Sequence, residues 1–374
     1  MWWCIASVMA QEFIVDIGEP VEVRSAGAWI RSIPTDDGWV AIMGGNSSLS
    51  IATLSKNGDA LQDWVLGPKE PIVSERGLID HGIQVCPNGN ILHAANATVE
   101  GSPDDFMHVN LFAPDFSRIF HQEIRDGVGS HAHNDPNVFC SDIGMGYLAS
   151  VQGMEFATDF FSLDSNGALM ETIPLEDYPR GNGGGVWADP VEQVIVQTGM
   201  AHGRPLTVNQ YDSEWQLLNS YEIDLVAPPL RAYWPQSILR IGDYYLLGHM
   251  VRDDAWMGAD NGDVYISIFD LDWVLQAQYP ITTYNSDAAM RPWIAHKDDQ
   301  LLISFDAFNE QMLVEARLDL SVFGERDLDV DWDNDAEDTA INPQKEDGCG
   351  CQSGSSSILI IPLFFMGLLR RRPL

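Results

Sequence analysis

The sequence predicts an all-β protein folded as a six-bladed β-propeller, on two repeating markers and on the absence of a long amphipathic helix between them. The first marker is a turn running into a strong apolar strand: Asp37-Gly38-Trp39-Val40, Asn88-Gly89-Asn90-Ile91, Gly146-Tyr147-Leu148, Glu192-Gln193-Val194-Ile195, Asp243-Tyr244-Tyr245-Leu246 and Asp299-Gln300-Leu301-Leu302. The second is an apolar residue and a turn closing a third strand: Leu54-Ser55, Phe112-Ala113, Leu163-Asp164, Tyr211-Asp212, Phe269-Asp270 and Leu318-Asp319. The mean spacings are about 52 and 53 residues. Such a unit holds four short strands and buries its two faces only against neighbouring copies. A sandwich pair or a β-solenoid is the alternative.

The sixth unit runs out of chain after Leu318-Asp319, so a strand from elsewhere must finish it. Residues 13–17 (FIVDI) precede the first blade and are the expected outer strand, which places the propeller at about residues 11–324.

Composition narrows the partners. The 374 residues carry 20 Lys plus Arg against 55 Asp plus Glu, a net charge of −35, which repels a phosphate backbone and argues against nucleic acid. Twelve Trp, 15 Phe and 10 Tyr exclude a disordered chain, and five Cys do not make a disulfide-dense scaffold. Cys86 and Cys140 sit late in the first strands of adjacent blades. Either they form a disulfide, as an exported protein permits, or they are two buried thiols.

In a propeller, the start of each innermost strand and the end of each second strand meet at one rim of the central channel. Counting back ten residues from each second strand selects Trp29, His81, Gly183, Trp234 and Arg291, and a turn expected to be about two residues longer in the third blade selects Asp135. His131, His133, Asn134, Asn182, Arg231 and Tyr233 fall beside them, and His202, His249 and Arg252 are expected in the loops between second and third strands. Imidazole transfers protons near neutral pH or ligates metals, and guanidinium clamps anionic groups with paired hydrogen bonds. The set therefore suits a polar small molecule or glycan-like ligand held by Trp29, Asp135, Asn182, His202, Arg231, Tyr233, Trp234, His249 and Arg291. The alternatives are an extracytoplasmic enzyme with His81, His131 and His133 as catalytic or metal-binding groups, and ordinary loop residues bonded to backbone. The sequence names no cofactor and leaves metal binding open.

Residues 81–91 (HGIQVCPNGNI) resemble the His, apolar strand, Pro-Asn-Gly-Asn pattern of arylsulfotransferase-like propellers. That resemblance implies a channel histidine, His81, that carries a transferred sulfuryl group. Pro-Asn-Gly-Asn is equally a good tight turn. The chain has no Walker-type phosphate loop, no Gly-x-Ser-x-Gly elbow and no His-Glu-x-x-His helix.

Both ends read as address labels. Residues 1–10 (MWWCIASVMA) read as a shortened signal peptide, with a frayed apolar terminus as the alternative. Residues 325–347 hold ten acidic and two basic side chains, which suits an extended stalk better than a calcium loop: counting from Asp327, Trp332 stands where such a loop needs Gly. At residues 348–374, Cys349 and Cys351 precede a polar stretch, an apolar run and Arg370-Arg371-Arg372. This order resembles the MYXO-CTERM sorting signal of myxobacteria, which implies a sorting protease, a membrane at the C-terminus and display at the cell surface; an ordinary C-terminal membrane anchor is the alternative.

Overall fold

The computed structural model describes residues 12–25, 30–43, 49–68, 70–73, 78–97, 106–124, 133–141, 144–151, 157–174, 184–189, 191–199, 205–226, 230–253, 262–283, 289–307 and 310–324. They form six antiparallel sheets, one per expected blade. From the inside outward, blade 1 is Ile30–Thr35, Gly38–Met43, Leu49–Lys56 and Trp64–Leu66, and blade 2 is Leu78–Val85, Ile91–Ala97, Phe106–Phe112 and Arg118–Ile124. Blade 3 is His133–Ser141, Gly144–Val151, Ala157–Leu163 and Leu169–Pro174, and blade 4 is Val186–Asp189, Val194–Gly199, Leu206–Tyr211 and Leu217–Ile223. Blade 5 is Leu230–Ile241, Tyr244–Asp253, Gly262–Asp270 and Leu275–Pro280, and blade 6 begins with Ala289–Lys297, Gln300–Ala307 and Glu310–Leu318. Each innermost strand touches the innermost strand of the next blade, and Ala289–Lys297 touches Ile30–Thr35, which closes the ring.

The missing outer strand of blade 6 is Ile14–Ile17, with Ile14 opposite Leu318, so the chain's beginning fastens its end as the sequence predicts. Val21–Ser25 pairs with the other end of the same strand, and Glu70–Val73 does likewise in blade 1, so the outer position of these two blades is split. The signal-peptide region, the acidic stalk and the Cys-apolar-Arg tail lie outside the described residues.

The second sequence marker has a local cause. In blades 3, 4 and 5 an Asp at the end of the third strand accepts two backbone N–H groups through Oδ1: Asp164 from Asn166 and Ala168, Asp212 from Glu214 and Gln216, Asp270 from Asp272 and Val274. The fourth residue of each turn is left-handed: Gly167 (φ 78°), Trp215 (φ 61°) and Trp273 (φ 62°), with Phe116 (φ 61°) at the same place in blade 2. A left-handed Trp costs about 1–2 kcal/mol, and burying its ring offsets that cost. Trp273 lies flat on Tyr245 with centroids 4.6 Å apart, and Trp215 stacks on Phe160. In blade 3 the corresponding space belongs to Phe120 of blade 2, which any Cβ on Gly167 would strike, so only glycine fits.

Apolar side chains from facing blades interleave at the seams. Ile33, Val40 and Ile42 of blade 1 pack with Ile83, Ile91 and Phe112 of blade 2, for instance, contributing about 25 cal/mol per Å² removed from water. The closing seam between blades 6 and 1 adds polar ties. The Glu315 carboxylate, wholly buried, accepts from Lys56 Nζ (2.7 Å) and Trp64 Nε1 (2.7 Å) of blade 1 and from Arg317 (2.8 Å) within blade 6. Cys86 and Cys140 form a disulfide, with Cα atoms 5.1 Å apart, that staples blade 2 to blade 3.

Candidate functional site

The ladder register defines which residues face the axis. Arg31, His81, Asn137, Gly185, Ser237 and Trp293 each lie four residues before the last ladder residue of their inner strand, and they are therefore equivalent. This corrects the register read from the sequence. The hairpin after the inner strand is longer in blade 2, where Val85 pairs with Ile91, than in blade 1, where Thr35 pairs with Gly38. A step back long enough to reach the axial position at His81 therefore overshoots it by two or three residues in the other blades.

These axial positions are tied to one another round the ring. Arg31 Nε donates to the His81 carbonyl (3.3 Å), Asn137 Nδ2 to the Gly184 carbonyl (2.6 Å), Thr198 Oγ1 to the Pro235 carbonyl (2.8 Å) and Ile294 N to Ser237 Oγ (2.9 Å). Between blades 2 and 3 the backbones themselves meet: a Cβ on Gly82 would sit 2.5 Å from the Pro136 oxygen. Arg31 Nη1 donates to the Arg291 carbonyl (3.0 Å) and closes the circle.

Arg31 is the hub. Although 2% exposed, it belongs to blade 1 and reaches blade 2 at His81, blade 5 at Gln236 Oε1 (3.4 Å) and blade 6 at Arg291, with its guanidinium 4.7 Å from the Trp293 ring centroid. Bonds from one charged fork to three other blades close the axis at this level. Sequence reading missed Arg31. Its signal was a lone charge in an otherwise weakly polar inner strand, Ile-Arg-Ser-Ile-Pro-Thr.

On the side where the inner strands begin, Trp234 and Arg291 occupy adjacent blades. Both are left-handed, with φ of 48° and 58°, and both precede a proline inside a bulge of their strand. A bulky non-glycine residue in this region costs on the order of 1–3 kcal/mol, and such strain concentrates at ligand-holding sites. The Arg291 guanidinium stands 5.7 Å from the Trp234 ring centroid and 3.5 Å from an Asp306 carboxylate oxygen, and it keeps 29% exposure. Indole, guanidinium and carboxylate thus meet above the Arg31 floor.

The histidines are placed differently from the rim. His81 is buried, and its ring lies 5.4 Å from that of His93. Across the same face of blade 2, Asn110 Nδ2 is 3.4 Å from His93 Nδ1, and His108 Nδ1 is 2.8 Å from His121 Nε2. Burial, then the charges of His81 and His108, hold His93 well below the usual imidazole range. His93 and His108 escape a reading of the rim because they stand within the blade; imidazoles on successive strands of blade 2 are the available signal. His249 and Arg252, expected in a loop, stand in strand Tyr244–Asp253. The reason is that this strand continues for ten residues and carries them into the sheet. His249 is fully buried, bonds Ser267 Oγ at 2.8 Å, and is pushed down to about 4 by burial. Among the described residues no three His, Cys, Asp or Glu side chains are grouped to hold a metal ion.

Trp29, His131, Asn182, Gly183 and His202 lie outside the described residues. For His133, Asn134, Asp135, Arg231 and Tyr233 only the backbone is described, in strands His133–Ser141 and Leu230–Ile241. A separate open depression of about 450 Å³ lies at the outer edge, between Asp16–Glu19 and Asp59–Gln62, with Arg317 beside it. Pro-Asn-Gly-Asn is a turn: Gly89 (φ 78°) donates to the Cys86 carbonyl and Asn90 N to Asn88 Oδ1.

Solved structures share this architecture. A subtype N10 neuraminidase-like protein of A/little yellow-shouldered bat/Guatemala/060/2010 superposes with a TM-score of 0.51 at 9% identity, over 81% of this chain and 98% of the other. A member of the DUF4221 family from Bacteroides vulgatus gives 0.51 at 9% identity, over 82% and 97%. At this identity the likeness shows the fold alone, a six-bladed propeller. No family model and no curated protein matches the chain.

Proposed function

We propose that the chain is a cell-surface-displayed β-propeller that binds a polar, glycan-like ligand at the axial mouth above Arg31, between Trp234, Arg291 and Asp306. The observation that carries this reading is the pairing of Trp234 and Arg291 in left-handed, pre-proline backbone on neighbouring blades, guanidinium over indole. Sugar rings suit such a site because an indole face takes their C–H surface, while guanidinium and carboxylate bond their hydroxyl and carboxyl groups. Surface display rests on the sequence of the two ends, where Cys349, Cys351 and Arg370-Arg371-Arg372 resemble a sorting signal.

Calorimetric titration of the full chain with glucuronate, galacturonate and neutral disaccharides tests the reading. Saturable binding of at least one of these, weakened about tenfold or more in Arg291→Ala and Trp234→Ala, supports it. Binding unchanged in both variants, or none across the set, counts against it.

A further inference from the structure

Eleven large apolar side chains are exposed among the described residues, and ten of them share one side of the propeller. All but Leu230 lie on the side opposite the proposed ligand mouth, Val191 where a first strand turns into a second and the rest on or beside outer strands. Every blade contributes one at or beside the turn-side end of its outer strand: Val15, Val65, Ile119, Met170, Leu218 and Val274, 37–69% exposed. Outer edge strands are where proteins ordinarily place charges to discourage pairing. What sets these residues apart is that each of the six blades repeats one at the same place in its fold.

Their surroundings fix the chemistry of the occupant. The segments 12–16, 57–66, 113–119, 164–170, 212–218 and 270–275, which carry these side chains, hold ten Asp and Glu and one basic residue, Arg118. Carboxylates this dense repel a second copy of the same face, an anionic lipid surface and nucleic acid alike. They favour a cationic partner that also offers apolar area.

We infer that the turn-side rim docks a basic, amphipathic protein segment. Its Lys and Arg side chains meet turn carboxylates such as Asp115, Glu214 and Asp272. Its apolar face covers Ile119, Met170, Leu218 and Val274. The repetition over six blades lets one partner engage several rim positions together, raising avidity without a deep pocket.

The test uses the full chain and two helical peptides of equal length and charge, one of Lys and Leu and one of Lys and Ser, followed by fluorescence anisotropy. Charge alone binds both equally. The expected result is about tenfold tighter binding of the Lys/Leu peptide, a preference lost in Ile119→Ser/Met170→Ser/Leu218→Ser/Val274→Ser with an unchanged circular dichroism spectrum. Equal binding of the two peptides by the wild type, or a preference that survives the four substitutions, overturns the inference. So does flotation on phosphatidylcholine vesicles that depends on the same four residues when no peptide preference is found, since the occupant is then a lipid surface. None of these residues belongs to the proposed sugar site, so the two readings fail separately.

Discussion

Arg31 Nε donates to the His81 carbonyl oxygen at 3.3 Å, and through this bond and its two partners on the same guanidinium one side chain of blade 1 ties blades 2, 5 and 6 at the axis. Hydrogen bonds to a charged group contribute about 1.5–3 kcal/mol each at most, and orphaning their buried acceptors adds a penalty. Arg31→Met is therefore expected to lower unfolding stability by about 3 kcal/mol or more. Arg31→Lys is expected to recover only a minor part, because an ammonium cannot span three acceptors as a planar fork does. Urea unfolding followed by tryptophan fluorescence checks both.

The left-handed backbone at Trp234 and Arg291 makes stability and binding separable. Arg291→Gly removes the Cβ strain at φ 58° along with the guanidinium. Stability is expected to stay within about 1 kcal/mol of wild type, since relief of strain opposes the lost ion pair with Asp306. Sugar binding is expected to disappear. Denaturation and titration of one preparation measure both quantities.

Buried histidines set the acid limit. His93 and His249 are held neutral in the fold, below their unfolded value near 6.5, and His249 sits at about 4. Below pH 6.5 the unfolded chain binds protons that the fold does not, so stability falls as pH falls, by up to about 1.4 kcal/mol per pH unit for each group. The loss from His249 runs from pH 6.5 down to about 4. Urea midpoints at pH 7.5 and 5.0 should show the drop, and His249→Gln should reduce it; equal midpoints for the wild type would refute the assignment.

The Cys86–Cys140 bridge closes a separation of 54 residues between blades 2 and 3. Its loss in Cys86→Ala/Cys140→Ala is expected to cost about 2–4 kcal/mol. A reductant should lower the unfolding midpoint of the wild type and leave that of the double variant unmoved.

Glu315 fastens the last blade to the first. Glu315→Gln leaves Lys56 beside an uncharged partner and weakens the Trp64 Nε1 bond, with an expected loss of about 3 kcal/mol. Hydrogen exchange is expected to rise first in Ile14–Ile17 and Trp64–Leu66, on either side of that seam.

The blade count was legible in the sequence because each unit repeats the same local chemistry. The turns at Asp164, Asp212 and Asp270 recur 48 and 58 residues apart, close to the mean period, and the closing strand was legible because the sixth blade lacked one. The axial register was not. It depends on the length of the first hairpin, which runs from Thr35 to Gly38 in blade 1 but from Val85 to Ile91 in blade 2 and so moves the axial residue relative to the second strand without changing the apolar pattern. Arg31 escaped for a related reason: its role lies in reaching three other blades, and neither spacing nor residue type announces a contact between residues 31 and 236. The pairing of Cys86 with Cys140 was within reach, because the blade period itself brings late first-strand positions of neighbouring blades together.

Hydrogen–deuterium exchange of the full chain, with and without the saccharide that gives the strongest calorimetric signal, tests the axial site most directly. Protection concentrated in strands Leu230–Ile241 and Ala289–Lys297, around Trp234 and Arg291, is the expected result. Protection confined to residues 16–19 and 59–62, at the outer-edge depression, would place the ligand elsewhere and contradict it.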